Sequence, residues 1–298
     1  MTWALARKLL RDVRIPFFVV ALLLFLFQIL WARITSRVTT QILTALQGQG
    51  LSLEFLQNTF LGENEMLGQM VQAIIGGERI ALDRPNDFMS ISYVHPLVLS
   101  ILCIWAIGRA ANAIAGEIDR GTMELLLAQP IRRAQLILAH LWVDAIVFPA
   151  LCLILWTGTY CGTWWMGLQT LADESSRVVP TRFLPALMCM FALLFSVSGL
   201  TMWISAMGRS RAGVWGWAVT ILLSMFLINV LGQMWDVLEL LRPFTIHYHY
   251  QPQLMIQHLD WYAHGDAWFH LVVLLCVGAA GYGLALATFC RRDLPAPL

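Results

Sequence analysis

Between residues 113 and 140 the chain reads AIAGEIDRGTMELLLAQPIRRAQLILAH, a charged, helix-prone stretch between two long apolar runs. Glu117 and Arg120 stand three apart, and Arg120 and Glu124 four apart. On a helix such neighbours form an ion-pair ladder worth about 0.2–0.5 kcal/mol per pair. Gly121-Thr122 is expected to interrupt that helix, with Thr122 offering an N-cap oxygen and Glu124 complementing the dipole of the next turn. Met123, Leu126 and Leu127 are expected on one face of the second helix, which Pro130 closes. Arg132 and Arg133 follow, before the apolar run resumes near Leu136. A plain solvated linker has no use for Leu125-Leu126-Leu127, because an exposed apolar cluster usually marks a contact surface. The chemistry on offer is recognition: helix, break, short helix, stop.

Other reactive side chains weigh less. Asp144 and His140, four apart, share a helix face, and ionisable groups within a membrane are functional candidates by default. Their place near the start of an apolar run suggests instead that they hydrate at headgroup level. His247, His249, His258, His264 and His270 gather near Met255, and histidine with methionine suits a soft metal. No HxxxH or HExxH spacing supports that, and no metal site is expected. Ser196-Val-Ser198-Gly199 reads as small residues for close helix packing rather than as a serine nucleophile. The six cysteines form no CxxC pair and read as packing residues inside apolar runs. Lys8 is the only lysine of the chain and lies in no glycine-rich turn. A phosphate-cradling P-loop needs such a lysine, so nucleotide hydrolysis, if used, belongs to another polypeptide.

The elements that must position these residues are membrane spans. The 298 residues are 59% hydrophobic and 12% charged, against about 25% charged in soluble domains. Ile15–Trp31, Ser92–Ala111, Ala134–Trp165, Phe183–Met207, Ala212–Gly232 and Trp268–Cys290 are each long enough to contain a span. Continuous rather than alternating apolar runs point to helices and not a barrel. The expected fold is an all-α integral membrane protein of six transmembrane helices forming a single domain over 1–298.

With six spans both termini share a side with the 112–137 loop and the 208–212 turn. Counting Arg109 and Asp144 among its charges, that side carries +6 and the other −5, which together give the chain's +1. The positive-inside rule places the basic side, and so both termini, in the cytoplasm. The apolar run after the basic start lacks a small-x-small cleavage site, so a retained signal-anchor is expected. Residues 1–14 are amphipathic, with Leu5, Ala6, Leu9, Leu10 and Val13 opposite Arg7, Lys8, Arg11 and Arg14. They suggest a helix lying on the inner leaflet against anionic headgroups, or else a plain orientation signal. The first external loop, 36–90, is expected to be partly helical, with Met66, Leu67, Met70, Val71, Ile74 and Ile75 at helical spacing before Gly76-Gly77. Trp235, Trp261 and Trp268 suit an interfacial aromatic belt.

AGEIDRGTMELLLAQPIRR resembles the segment after the second span in membrane subunits of ABC transporters of the type-2 permease family. The family's pattern falls here on Glu117, Gly121, Thr122, Glu124, Leu125, Leu127, Pro130 and Arg132, with Arg120 inside it. Tyr93-Val94-His95-Pro96-Leu97 and, more loosely, LRPFTIHYHYQPQ at 241–253 are also similar to that family. The resemblance implies that residues 113–133 form coupling helices seated on cytosolic ABC ATPase subunits. ATP and Mg would then be held by the ATPase, with no cofactor on this chain. It also implies a second permease copy, identical or related, in a bacterial inner membrane, surrounded by lipid and without nucleic acid. An exporter is the leading expectation. A force-transmitting subunit that moves no cargo, and a membrane-embedded enzyme, are the alternatives.

Overall fold

A computed structural model describes residues 2–49, 85–171, 177–233, 235–258, 260–263 and 265–292. Every regular element among them is helical. Six stretches are long and apolar enough to cross a membrane. Span one lies within α1 (Thr2–Gln49), and span two is α2 (Pro85–Val94) followed by α3 (Pro96–Ala113). Two short helices, α4 (Ala115–Asp119) and α5 (Met123–Leu127), lead to span three, α6 (Arg133–Trp165). A 3-10 turn at Pro180–Phe183 opens span four, α7 (Leu184–Met207), and α8 (Arg211–Leu231) is span five. After α9 (Asp236–Glu239) and α10 (Pro252–Gln257), α11 (Gly265–Arg291) is span six.

The amphipathic start departs from expectation. Residues 3–14 are not a separate helix but the first turns of α1, which continues through Pro16. Leu5 and Ala6 are buried, and Leu9, Leu10 and Val13 pack against the core. Their stripe runs on into the span, and this packing holds the helix in line although Pro16 removes one backbone bond. The 36–90 segment, expected as a loop, also differs at its edges. α1 extends to Gln49 and α2 begins at Pro85, so both of its edges are helical. The helix expected around Met66–Ile75 lies outside the described residues.

Span two breaks at His95, whose extended backbone (φ −60°, ψ 130°) is the conformation that a following proline favours. Pro96 then starts α3 where a missing N–H costs nothing, and Leu97 N–H donates to His95 Nδ1 at 3.2 Å.

Span four is the central post: 67% of its apolar window is buried, against 22% for span one and 17% for span five. It meets span six through glycines. A Cβ on Gly199 would stand 2.3 Å from the Gly278 carbonyl oxygen, so only bare backbones can cross there. Spans one and three cross in the same way at Gly158 and Gly162, where an added Cβ would come within 2.9 Å of Gln28 and Ala32. At the far end the two looser family-like segments meet. Tyr250 Oη donates to the Tyr93 carbonyl at 2.7 Å, Tyr93 stacks on Phe183, and Gln253 Nε2 reaches Ser90 Oγ at 3.3 Å.

Candidate functional site

The 113–133 segment folds as helix, break and short helix. α4 continues span two after a one-residue kink at Ile114. Its attachment is firm: Ala115 N–H donates to Ser205 Oγ of span four at 3.0 Å, and Ala115 and Gly116 are buried. Gly121 then adopts φ +68°, the left-handed region open to glycine at little cost. That turn separates α4 from α5. The Glu117–Arg120 ion pair forms at 2.5 Å, whereas the expected Arg120–Glu124 rung does not, because the two residues lie on either side of the break.

Thr122 occupies the N-cap position, but its hydroxyl does not cap α5. It turns back to the Glu117 carboxylate. The acid that was expected to serve only a surface ladder therefore also braces the turn.

Met123, Leu126 and Leu127 share the covered face of α5, and the expected exposed cluster of three leucines reduces to one. Met123 is buried beside Ala110, Ile137 and Phe289, with Leu127 partly buried against the same cluster. Leu126 is half-buried. The leucine that faces outward is Leu125, 70% exposed, with exposed Glu124 beside it. Met123 and Leu127 thus root the helix, while Glu124 and Leu125 are what it presents. Pro130 and Arg132 are exposed, and Arg132 N–H donates to Gln135 Oε1 at 3.0 Å to open span three. The period of α5 alone left open which side its neighbours would cover.

Around this knob the end of the bundle is tied together by arginines. Arg133 Nη1 donates to the Arg292 carbonyl at 2.5 Å, and Arg292 Nη1 donates to the Ala206 and Gly208 carbonyls at 2.8 Å. Burial, with Arg209 nearby, lowers the Arg292 pKa below its ordinary value. Arg211 N–H donates to Asp119 Oδ2 at 3.1 Å. The 208–212 turn therefore abuts the 113–133 segment, with Arg209 and Arg211 exposed.

A second charged centre lies inside the bundle. Arg109 of span two pairs with Asp144 of span three, Nε to Oδ1, at 2.6 Å, with the two side chains only 9% and 1% exposed. Ser198 of span four and Tyr282 of span six reach Asp144 Oδ2 at 2.9 and 2.7 Å. Each hydroxyl carries one proton, so both can donate to that oxygen. Four spans meet on one carboxylate. Hydration of Asp144 and His140 at headgroup level is thus overturned, since both are buried. Arg109 and Asp144 are not loop charges either. They cancel, so the basic end keeps its excess of six. From the sequence Arg109, Asp144 and Ser198 stood out singly and Tyr282 did not; an arginine and an aspartate inside apolar runs were the available signal.

Two of the histidines grouped near Met255 form a pair. His249 and His270 approach through their Nδ1 atoms at 2.9 Å, and His249 Nε2 lies 2.9 Å from the Pro243 carbonyl oxygen. Met255 points into the core instead. Burial pushes the His247 imidazole down to about 4. Among the described residues no three His, Cys, Asp or Glu side chains gather as a metal would require. Cys152 and Cys189 are packed as expected, while Cys276 and Cys290 face outward from span six.

Comparison with known proteins gives one match. The family model described as ABC-2 family transporter protein matches residues 3–294. No curated protein matches the chain, and no solved structure does.

Proposed function

The chain belongs to the ABC-2 family of transporter proteins, and on that premise we propose that residues 113–133 are the seat of a separate ATPase that drives an exporter. As a multi-pass membrane subunit of this family, it associates with ABC ATPase partners. ATP and Mg belong to those partners, and a second permease copy completes the assembly in a bacterial inner membrane. Both termini and the knob face the cytoplasm, which is what the basic excess at that end favours.

One observation carries the docking proposal. An acid and a leucine, Glu124 and Leu125, stand outward on a helix rooted by buried Met123 and joined to spans two and three by short links. An exposed leucine held in place this way suits a cleft on a soluble partner. ATP binding shifts the ATPases toward a closed pair, and the knob follows because it cannot slide on its root. Such a ligand acts by favouring one of two arrangements. Arg109–Asp144 then links spans two and three deeper in the bundle, and Ser198 and Tyr282 extend the link to spans four and six.

Co-purification tests this. Glu124→Arg and Leu125→Ser are expected to lose the ATPase while the subunit still inserts and elutes as wild type. Undiminished association in both variants overturns the docking proposal. Leu127, being partly rooted, is the weaker probe. ATP-driven flux in reconstituted vesicles separates an exporter from a subunit that transmits force without moving cargo.

A further inference from the structure

The first turns of α1 and the middle of span three enclose an open groove of about 900 Å³. Arg7, Lys8, Arg11 and Arg14 line one part of it, and the remainder is apolar, including Phe17 and Ala150. The four cations are exposed, and among the described residues no acid is paired with any of them. Asp12, on the same turns, is exposed and does not line the groove. Four like charges within two turns of one helix repel each other, at a small cost for each pair in register. Among the described residues no ion pair offsets it.

We infer that this groove holds one anionic phospholipid, with its phosphate among Arg7, Lys8, Arg11 and Arg14 and an acyl chain over Phe17 and Ala150. The division of the lining matches the division of such a molecule, a negative head and a hydrocarbon tail. From Arg7 to Phe18 the helix rises about 16 Å, the length of a headgroup and the upper part of a chain. Clustered basic residues at a membrane boundary attract anionic headgroups, and the apolar floor distinguishes a held lipid from a diffuse surface attraction. α1 also explains why the site exists at all. A separate helix lying flat would spread its cations over the surface, whereas the continuous helix stands them above a wall shared with span three. The inference rests on the membrane placement proposed above but not on the ATPase seat.

The test uses purified full-length protein in nanodiscs of phosphatidylglycerol and phosphatidylcholine with matched chains. After extraction, mass spectrometry reads the ratio of the two retained lipids. Wild type is expected to enrich phosphatidylglycerol, and R7Q/R11Q/R14Q to lose the enrichment, by about fivefold for each cation removed. R33Q/R37Q/R291Q removes as many exposed cations elsewhere and should keep it. Ala150→Trp fills the floor with every cation in place and should also lose it. Equal loss in both arginine triples, or full retention in Ala150→Trp, would mean general surface charge and overturn the site. Disulfide cross-linking between Phe18→Cys copies, with no enriched lipid, would assign the groove to a second copy and overturn it too. ATPase co-purification is expected to be unchanged in R7Q/R11Q/R14Q, so failure here is distinct from failure of the docking seat.

Discussion

Two charged regions lie near the same end of this bundle and do opposite work. At the knob, Glu124 and Arg120 are exposed, and the one ion pair, Glu117–Arg120, is half in solvent at its arginine. Inside, Arg109 and Asp144 have the same chemistry and almost no solvent, and two hydroxyls converge on the carboxylate. An exposed pair is worth about 0–1 kcal/mol because water already solvates both ions. A buried pair is costly to form and costlier to halve, because one orphaned charge is left behind. The first arrangement leaves its side chains free to be read by a partner, and the second joins helices. Residue type does not separate the two roles; burial does.

The largest expected effect tests the inner region. Asp144→Ala strands Arg109 in the bundle and is expected to destabilise the purified protein by about 3–5 kcal/mol, read by denaturant unfolding in detergent. The double variant R109M/D144L should recover most of that loss. A single variant as stable as wild type would show that the ion pair does not join the spans.

Next comes the outer region, where stability and association should part. Leu125→Ser is expected to weaken ATPase binding by about thirtyfold, near 2 kcal/mol, as for a central interface anchor. Its unfolding midpoint should match wild type. A lowered midpoint with binding intact would make Leu125 a structural residue and blur the contrast.

Gly121→Ala probes the joint that sets the knob's direction. An added Cβ there meets nothing within 4 Å, so the cost is backbone strain at φ +68°, about 1–2 kcal/mol. Faster amide exchange over 117–128 would report it, and unchanged exchange would mean that the turn is not what shapes the segment.

The smallest effect falls on the surface pair. Arg120→Ala should change stability by about 0.5 kcal/mol or less. A loss approaching that of Asp144→Ala would erase the distinction between the two regions.

Much of this was legible in the chain, and for local reasons. The six spans came from hydropathy, with the structure extending their ends by a few residues and adding several turns to span one. The helix–break–helix form of 113–133 came from Gly121, Thr122 and Pro130, whose preferences act within one turn. What failed was direction. Thr122 was read as a cap and instead binds Glu117, because a carboxylate five residues back competes with the backbone for its hydroxyl. Leu125, Leu126 and Leu127 were read together as one exposed cluster, and of the three Leu125 proved to be the exposed one. The start of α1 was detached from its span because amphipathicity says nothing about continuity.

Sequence alone determined the all-helical, six-span plan, the basic excess at one end, the family pattern on Glu117 to Arg132, and the absence of a P-loop lysine. These depend on composition, hydropathy and neighbours a few residues apart. Tertiary structure decided that Arg109 and Asp144 meet Ser198 and Tyr282, which are 54 and 138 residues from Asp144. It also decided that Gly199 faces Gly278, and that Leu125 rather than Leu127 looks outward. Each of these follows from how helices rotate and cross, and that depends on every contact along their length at once.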